Sequence, residues 1–429
     1  MPPNSGPSMA EMENAWKELR QLVGEENLRA CPANEAVDGL LPQMVIEPGS
    51  AEEVAAALKI ATGAGLAVLP RGGATKLNWG NPPRRGELIL STLRLNRIVE
   101  HAWGDMTATV EAGCTFQNVQ QALSQHGQRL ALDPLWPERA TIGGILATND
   151  SGALRVRFGS LRDLIIGATL ALPDGTLAKS GGKVVKNVAG YDLPKLATGS
   201  LGTLGIITQA IFRLHPVPRE SRTLSFSCPD NKTLNTLMLA IQDCNLVPTG
   251  VQARAAHNLP PEIDLRFEGT AAGCEAQIAQ TLGMTAGVHR IESPAELWDA
   301  GSELWNGAEP SVVCKFNLLP ADLGIYIDRV RKELEPRGLR WRLVAQAVGT
   351  GYLRIDSEDT KILVDVLDAM RKYLEGRGGA LVILRFPLSM KSKMDVWGNA
   401  GDALHLMKSI KAQFDPTATL NPGRFVGGI

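Results

Sequence analysis

The 429-residue sequence lacks the patterns that mark metal-binding, nucleic-acid-binding and membrane-spanning proteins. Its six cysteines form no C-x-x-C pair and have no histidines at ligand spacing, so neither zinc nor iron–sulfur sites are expected. The 44 basic and 45 acidic side chains nearly cancel, unlike the charge of a nucleic-acid binder. No apolar run approaches the roughly 20 residues that span a bilayer, and the start resembles no signal peptide. We therefore expect a cytoplasmic protein with small-molecule or protein partners and buried free thiols.

Two common phosphate-binding motifs are also absent. The sequence contains no G-x-x-x-x-G-K-[ST], which argues against a P-loop nucleotide site. It also contains no G-x-G-x-x-G in a first strand-to-helix turn with an acid about 20 residues further on. A dinucleotide ligand would therefore need a fold other than the Rossmann fold.

Glycine is abundant, and it is concentrated in one region. Of the 44 glycines, 21 fall between residues 63 and 205, and eight of these lie in three stretches, 70–75, 140–152 and 199–208. The first stretch follows the apolar strand predicted at 66–69, where open α/β folds place ligands. Glycine lets main-chain N–H groups approach a phosphate without a Cβ in the way. The three stretches together predict a ligand that carries a pyrophosphate.

Four ordered motifs carry a family resemblance: Pro70–Thr75, Ala140–Gly144 with Asn149–Gly152, Lys186–Leu193 and Gly202–Thr208. Together they resemble the FAD-binding domain of the vanillyl-alcohol-oxidase (PCMH-type) flavoproteins. Within that superfamily the chain is most similar to the FAD-binding subunits of bacterial glycolate oxidases. The endings Phe414-Asp415-Pro416 and Leu420–Arg424 strengthen this likeness.

The resemblance implies an α+β fold class, with a two-subdomain PCMH-type FAD-binding domain followed by an α+β C-terminal (cap) domain. We expect residues 1–36 to form a tail and a helix, the latter begun by a capping box of Ser8 and Glu11. The FAD-binding domain would cover 37–218 and end at the prolines Pro216 and Pro218. The C-terminal domain would cover 219–429, with its last segment returning to the flavin.

The resemblance also implies the residues that hold FAD, some through main-chain N–H groups and one, Asn421, beside the flavin ring. Related flavoproteins that attach FAD covalently commonly have a histidine at the place of Ala74, so non-covalent FAD is implied here. The implied FAD-binding residues are Pro70, Arg71, Gly72, Gly73, Ala74, Thr75, Pro134, Thr141, Ile142, Gly143, Gly144, Ser151, Gly152, Gly202, Gly205, Ile206, Ile207 and Asn421.

The catalytic motif of the family is missing. Members that oxidise 2-hydroxy acids carry a Glu-His-Gly motif and further histidines, which supply a base and metal ligands, whereas residues 381–387 here read LVILRFP. None of the six histidines falls in a family motif, and no metal site is expected. Oxidation of a hydroxy acid needs a base for the hydroxyl proton and a cation for the carboxylate. The catalytic residues are not identified by the sequence; Arg385, Arg354 and Tyr352 are weak candidates.

We expect one chain of a glycolate oxidase (dehydrogenase) complex that converts glycolate, a 2-hydroxy acid, to glyoxylate. By resemblance its partners would be a catalytic flavoprotein subunit and an iron–sulfur subunit, which pass electrons on and bring the complex to the inner face of the cell membrane. The alternative is a self-sufficient FAD-linked oxidoreductase of another hydroxy acid or alcohol, and a third is a scaffold that has lost FAD. Nucleic acid is not an expected partner.

Overall fold

The computed structural model describes residues 8–182, 191–294, 296–307, 310–391 and 393–429. These residues form two compact units. The first unit comprises residues up to Asp150, Leu161–Pro216 and Ala400–Ile429, and the second comprises Ser151–Ser160 and Val217–Asn399. Residues 186–190 of the third family motif lie outside the described residues.

The first unit contains a four-stranded sheet that ends at the first glycine loop. Strands Met44–Ile46, Leu88–Ser91 and Val68–Arg71 run parallel, and Leu28–Ala30 pairs antiparallel with Met44–Ile46. Both faces of the parallel strands are buried, as is usual for parallel sheets. Residues 72–75 thus directly follow the strand Val68–Arg71, whose position is fixed by the sheet.

A five-stranded antiparallel sheet forms the second part of the same unit. Its central strand, Ile206–Arg213, starts within the third glycine stretch and pairs with a strand on each side. In spatial order the strands are Ile98–Ala102, Thr107–Glu111, Ile206–Arg213, Ile165–Ala171 and Leu177–Gly181, and a separate two-stranded ribbon joins Gln128–Arg129 to His215–Pro216.

Local sequence explains why the helices of the first unit begin where they do. Ser8 caps the first helix with the reciprocal bonds to Glu11 that the sequence predicts, and Ser50 and Thr115 cap the next two. The α-helices are Met9–Val23, Ala51–Gly63, Phe116–Ser124, Ile142–Thr148, Leu161–Leu164, Leu193–Ala197 and Leu404–Phe414. The short 3-10 helices are Glu25–Asn27, Ala33–Glu35, Trp103–Asp105, Gly401–Ala403 and Val426–Gly428.

The second unit is built on an eight-stranded antiparallel sheet. Alternate residues of its strands, such as Val312, Cys314 and Phe316, join one hydrophobic core with the helices. In spatial order the strands are His289–Ile291, Glu220–Ser227, Glu262–Gly269, Gly250–Ala256, Arg340–Gln346, Thr350–Asp356, Ser311–Asn317 and Ala380–Arg385.

The helices of the second unit bury apolar stripes against one face of this sheet. Leu363, Val366, Leu367 and Met370 of the helix Thr360–Glu375 lie in that core, at helical spacing. The α-helices are Arg155–Phe158, Asn231–Asp243, Ala271–Met284, Ala300–Glu303, Leu323–Leu334, Thr360–Glu375 and Leu388–Lys391, and the 3-10 helices are Leu297–Asp299, Pro320–Asp322 and Glu335–Arg337.

Both units combine helices with mostly antiparallel sheets, so the α+β class is confirmed. The units divide at Pro216 and Val217, and the final segment Ala400–Ile429, which the sequence analysis assigned to the C-terminal domain, groups with the first unit. It joins that unit because Val68 pairs with Leu420 in a parallel bridge. Among the described residues, no helix is both long and apolar enough to cross a membrane.

Candidate functional site

A cleft in the first unit is enclosed by the glycine-rich stretches and by the end of the chain. It is lined by Pro70, Arg71, Gly72, Gly73, Ala74, Thr75, Lys76, Leu77, Trp79, Thr92, Thr141, Gly143, Gly144, Ala147, Thr148, Leu201, Gly202, Gly205, Ile206, Ile207, Asn421 and Arg424.

The first loop packs against the second glycine stretch. A Cβ on Gly72 would overlap Thr141 Oγ1, and a Cβ on Gly73 would overlap the carbonyl oxygen of Arg139. These two glycines are therefore required by the protein's own packing as well as by any ligand. Gly144 differs, because a Cβ there would meet only Thr141 Oγ1, at 3.3 Å.

Main-chain N–H groups of the first loop are available to a ligand. Gly73 N donates weakly to Thr141 Oγ1 at 3.4 Å, whereas the amides of Gly72, Ala74 and Thr75 donate to no other described residue. Ala74 has φ of 58°, which turns the chain sharply at this point. Successive amides in such a turn form a concavity that suits an anion.

The Arg71 side chain is held by an acid from outside the cleft. Its guanidinium donates to Glu35, which also accepts from Arg29 at 2.8 Å. Burial raises the pKa of Glu35, but the hydrogen bonds and charges of Arg71 and Arg29 outweigh it and leave that pKa below its usual value. Glu35 therefore stays ionised and fixes the end of the strand that carries the first loop.

Lys76 is a second buried cation at the cleft. Its Nζ lies 3.0 Å from Asp150 Oδ2, and it sits 5.8 Å and 5.3 Å from the ring centroids of Trp79 and Trp136. A buried ammonium that is paired and lies near aromatic faces is well compensated. Sequence reasoning missed Lys76 and Trp79, although both directly continue the first loop.

Arg424, also missed, ties the end of the chain to the first loop. Its guanidinium donates to the carbonyl oxygens of Leu77 and Trp79, the latter at 2.7 Å. Burial lowers the pKa of this guanidinium. The side chain thus works mainly as a brace for residues 77–79, and the ending Leu420–Arg424 was the signal that could have identified it.

The side-chain oxygen of Asn421 is a hydrogen-bond acceptor at the cleft. Its Nδ2 donates to Leu201 O at 2.6 Å and its backbone N donates to Val68 O at 3.0 Å. Its Oδ1 is buried and has no hydrogen-bond partner among the described residues. A buried amide oxygen without a donor is costly, so a ligand that supplies an N–H group would relieve it.

The residues present therefore fit a pyrophosphate-bearing cofactor with a ring that can donate hydrogen bonds. Most of the expected FAD-binding residues line the cleft. Pro134 and Ile142 are buried but do not line it, since Ile142 packs in the hydrophobic core. Ser151 and Gly152 belong to the second unit and are not part of this cleft.

The weak catalytic candidates lie together on the second unit's sheet, on the face opposite its hydrophobic core. Arg354 and Arg385 both pair in register with Val313, which places them on the same face. Tyr352 pairs with Lys315, whose Nζ lies 6.0 Å from the Tyr352 ring centroid. Sequence reasoning missed Lys315, a single charge that alternates with the core residues Cys314 and Phe316.

Arg354 and Arg385 differ in burial and in the hydrogen bonds of their guanidinium groups. Arg354 is 1% exposed, donates to Asp356 at 2.7 Å and to Leu304 O at 2.9 Å, and so is committed to the fold. Arg385 is half-buried and donates to Trp305 O at 2.7 Å, and burial lowers its pKa. On this face Arg385 and Lys315 are partly exposed, whereas Arg354 is buried.

No group of three or more His, Cys, Asp or Glu residues that could hold a metal ion occurs in the described part of the chain. The histidines serve other contacts. His101 bonds Gln128 at 2.9 Å, and His126 stacks on Trp103 with ring centroids 5.6 Å apart.

Two family models match the chain, and most of the matched residues belong to the first unit. An FAD binding domain model matches residues 42–181, and a model of the C-terminal domain of FAD linked oxidases matches residues 393–425. The second match covers the segment that contributes Asn421 and Arg424 to the cleft.

Individual proteins extend the likeness over the chain. It is 36% identical to a D-lactate dehydrogenase of Archaeoglobus fulgidus, over 89% of this chain and 91% of that protein. It is 35% identical to glycolate oxidase subunit GlcD of Bacillus subtilis, but over only 48% of this chain and 46% of that protein. The solved structure of a 4-ethylphenol oxidase from Gulosibacter chungangensis superimposes with a TM-score of 0.76 at 15% identity, covering 98% of each chain. The last likeness shows the PCMH-type fold.

Proposed function

The chain belongs to the FAD-linked oxidases, with FAD as its cofactor, and on that premise we propose that it takes part in the oxidation of a 2-hydroxy acid such as glycolate or D-lactate. The names of two relatives support this substrate class, since one is a D-lactate dehydrogenase and the other a glycolate oxidase subunit. When bound, FAD supplies the acceptor for the hydride that leaves the substrate carbon.

The contribution of the cleft to this function is to bind and orient the cofactor. The amides of Gly72, Ala74 and Thr75 would hold the pyrophosphate, and Asn421 Oδ1 would accept a hydrogen bond from the flavin ring. Because Ala74 stands where covalent relatives have a histidine, the attachment is non-covalent. The resemblance therefore supports a dissociable FAD.

The second unit would bind the carboxylate of the acid. Lys315 and Arg385 lie on one face of the sheet, and a carboxylate accepts charge-assisted hydrogen bonds from both kinds of side chain. The hydroxyl proton still needs a base, and Tyr352 is the weak candidate on that face.

More specifically, we propose that the chain is part of a glycolate oxidase complex and works with a catalytic flavoprotein subunit and an iron–sulfur subunit. The observation that carries this proposal is the sequence LVILRFP at residues 381–387, which contains no histidine and no acid. In the described part of the chain, no group of three or more His, Cys, Asp or Glu residues could hold a metal ion. Such a chain can bind FAD and an acid and still depend on a partner for the chemical step. Electrons would then pass on through the partner subunits.

Anaerobic reduction of the flavin tests this proposal. The purified chain, loaded with FAD, is mixed with glycolate or D-lactate, and the visible flavin band is followed with time. We expect very slow bleaching by the isolated chain and fast bleaching once a co-purified flavoprotein and iron–sulfur partner are present. Fast bleaching by the isolated chain would favour a self-sufficient enzyme instead.

The self-sufficient alternative rests on the D-lactate dehydrogenase that matches nearly the whole chain, and on the shared face of Tyr352, Arg354 and Arg385. If the chain is self-sufficient, Arg385→Gln should raise the hydroxy-acid concentration that gives half-maximal bleaching of the flavin band. The expected increase is about 10-fold or more, because a charge-assisted hydrogen bond to the carboxylate is lost. The exposed Lys361→Gln in the same unit is the matched control and should change nothing. An unchanged concentration in Arg385→Gln would remove this residue from the site.

A further inference from the structure

A buried ion pair lies behind the cleft in the first unit. Lys411, near the end of the helix Leu404–Phe414, places its Nζ 2.5 Å from Asp415 Oδ2. Lys411 is 8% exposed and Asp415 is 2% exposed. A buried ion pair is costly unless the remaining hydrogen-bonding capacity of both groups is used.

Both groups use that capacity on two particular segments. Besides Asp415, the Lys411 ammonium donates to Thr203 O at 2.8 Å and to Leu420 O at 3.0 Å, which accounts for its three protons. The Asp415 carboxylate accepts from Thr419 N at 2.9 Å and from Leu420 N at 2.8 Å. The ion pair therefore forms hydrogen bonds with the backbone of residue 203 and of residues 419–420.

Sequence neighbours of these two segments line the cleft, although Thr203, Thr419, Leu420 and the ion pair itself do not. Thr203 lies between Gly202 and Gly205, and Leu420 directly precedes Asn421. The segments are more than 200 residues apart in sequence, and Asn421 Nδ2 bonds Leu201 O across the same junction. One lysine thus sets the distance between the third glycine stretch and the residue that carries the unpaired Oδ1.

We propose that Lys411 and Asp415 are positioning residues for FAD. They act through the carbonyl of Thr203 and the backbone of residues 419–420, and they fix where Asn421 and the main chain of residues 202–205 meet the cofactor. The inference needs FAD as the cofactor but does not depend on which acid is oxidised.

The experiment measures FAD binding and the environment of the bound flavin, without substrate. Lys411→Met removes all three donors at similar length, Lys411→Arg keeps the charge and several donors, and Lys408→Met changes an exposed lysine of the same helix. Apo-protein is titrated with FAD, and the visible absorbance and circular dichroism of the flavin are recorded at saturation. Wild-type protein titrated in parallel reports on FAD binding itself.

We expect Lys411→Met to weaken FAD binding by about 10-fold or more. At saturation its flavin spectrum should differ from that of the wild type. Lys411→Arg should restore much of both properties, and Lys408→Met should match the wild type. A folded Lys411→Met protein with wild-type affinity and spectrum would overturn the proposal.

A second variant covers the case in which Lys411→Met does not fold. Replacing a buried ion pair by an apolar pair is often neutral for stability, so Lys411→Met/Asp415→Leu is expected to fold. The same weakened binding and altered spectrum in this folded double variant support positioning, and wild-type values contradict it. If neither variant folds, the pair is needed for the fold as such and the positioning role is rejected.

Discussion

At the scale of single residues, the glycines of the cleft do two different jobs. Gly72 and Gly73 let the first loop touch residues 139–141, so a side chain at either would disturb the protein itself. Gly144 lines the cleft, and a Cβ there would meet only the end of the Thr141 side chain, at 3.3 Å, which a small shift of that hydroxyl would relieve. A substitution at Gly144 therefore tests ligand binding with little effect on the fold, whereas a substitution at Gly72 or Gly73 tests both.

We therefore predict that Gly144→Leu yields a folded protein that has lost FAD. The leucine side chain would occupy the cleft, and the helix Ile142–Thr148 tolerates leucine better than glycine. The visible flavin band of the purified protein and its far-ultraviolet circular dichroism are the measurements. Gly283→Leu, on an exposed helical position with open space, is the control. Full flavin content in Gly144→Leu would disprove the placement of FAD in this cleft.

Glu35 gives a residue-scale prediction about pH. Because Arg71 and Arg29 hold its pKa below the unfolded value, its stabilising effect is present above the unfolded pKa and is lost as the pH falls through the folded pKa. Glu35→Gln should therefore lower the free energy of unfolding by about 1 kcal/mol at neutral pH.

Urea unfolding of both proteins at neutral pH and at roughly pH 3 measures this difference. The difference in stability between the two proteins should become smaller at the acid end, since protonation of Glu35 removes its stabilising effect. Glu13→Gln, on an exposed face of the first helix, should show no difference at either pH. A constant difference between wild type and Glu35→Gln would mean that the ionised carboxylate is not the cause.

At the scale of elements, a buried arginine joins a helix to the edge of the second unit's sheet. Arg371, on the helix Thr360–Glu375, donates to the carbonyl oxygens of Leu381, Asp395 and Val396 at 2.9 to 3.2 Å. The side chain is 7% exposed. It positions the strand Ala380–Arg385 that carries Arg385.

Arg371→Met should destabilise the second unit by about 2–4 kcal/mol, because the three hydrogen bonds from the buried guanidinium to carbonyl oxygens are lost. The measurement is urea unfolding followed by tryptophan fluorescence, with FAD content as a second readout. FAD content should not change, since the cleft belongs to the first unit. The neighbouring Lys372→Met, whose side chain is 74% exposed, is the control. A loss below about 0.5 kcal/mol would show that the three contacts contribute little.

At the scale of the whole molecule, the cleft depends on contacts between distant parts of the chain. The strand Val68–Arg71 pairs with Leu420, and Asn421 bonds both Val68 and Leu201. These contacts place the end of the chain beside the first loop. Ligand binding should therefore stabilise these segments together, although they are far apart in sequence.

Hydrogen exchange with and without FAD measures this coupling. We predict that amides in 71–77, 142–148, 201–207 and 420–424 gain protection together, because FAD binds the folded cleft and not its opened form. The helix Met9–Val23, which does not line the cleft, should gain less. If residues 420–424 exchange at the same rate in both states, the end of the chain does not contact the cofactor.

Sequence by itself determined the features that depend on short-range chemistry. The Ser8 capping box, the first glycine loop after a buried strand and the flavoprotein family motifs each rest on residues within a few positions of one another. Glycine and capping residues have strong local preferences, so such patterns predict backbone conformation without knowledge of the fold.

Only the tertiary structure decided which residues meet across long separations. Lys411 reaches Thr203 through the folded chain, and Lys315 joins Tyr352 and Arg385 on one face through strand pairing. It also showed that Gly73 is required by the close approach of the Arg139 carbonyl oxygen. The physical reason is that strand register and side-chain packing arise from contacts between many residues, and no single stretch of sequence encodes them.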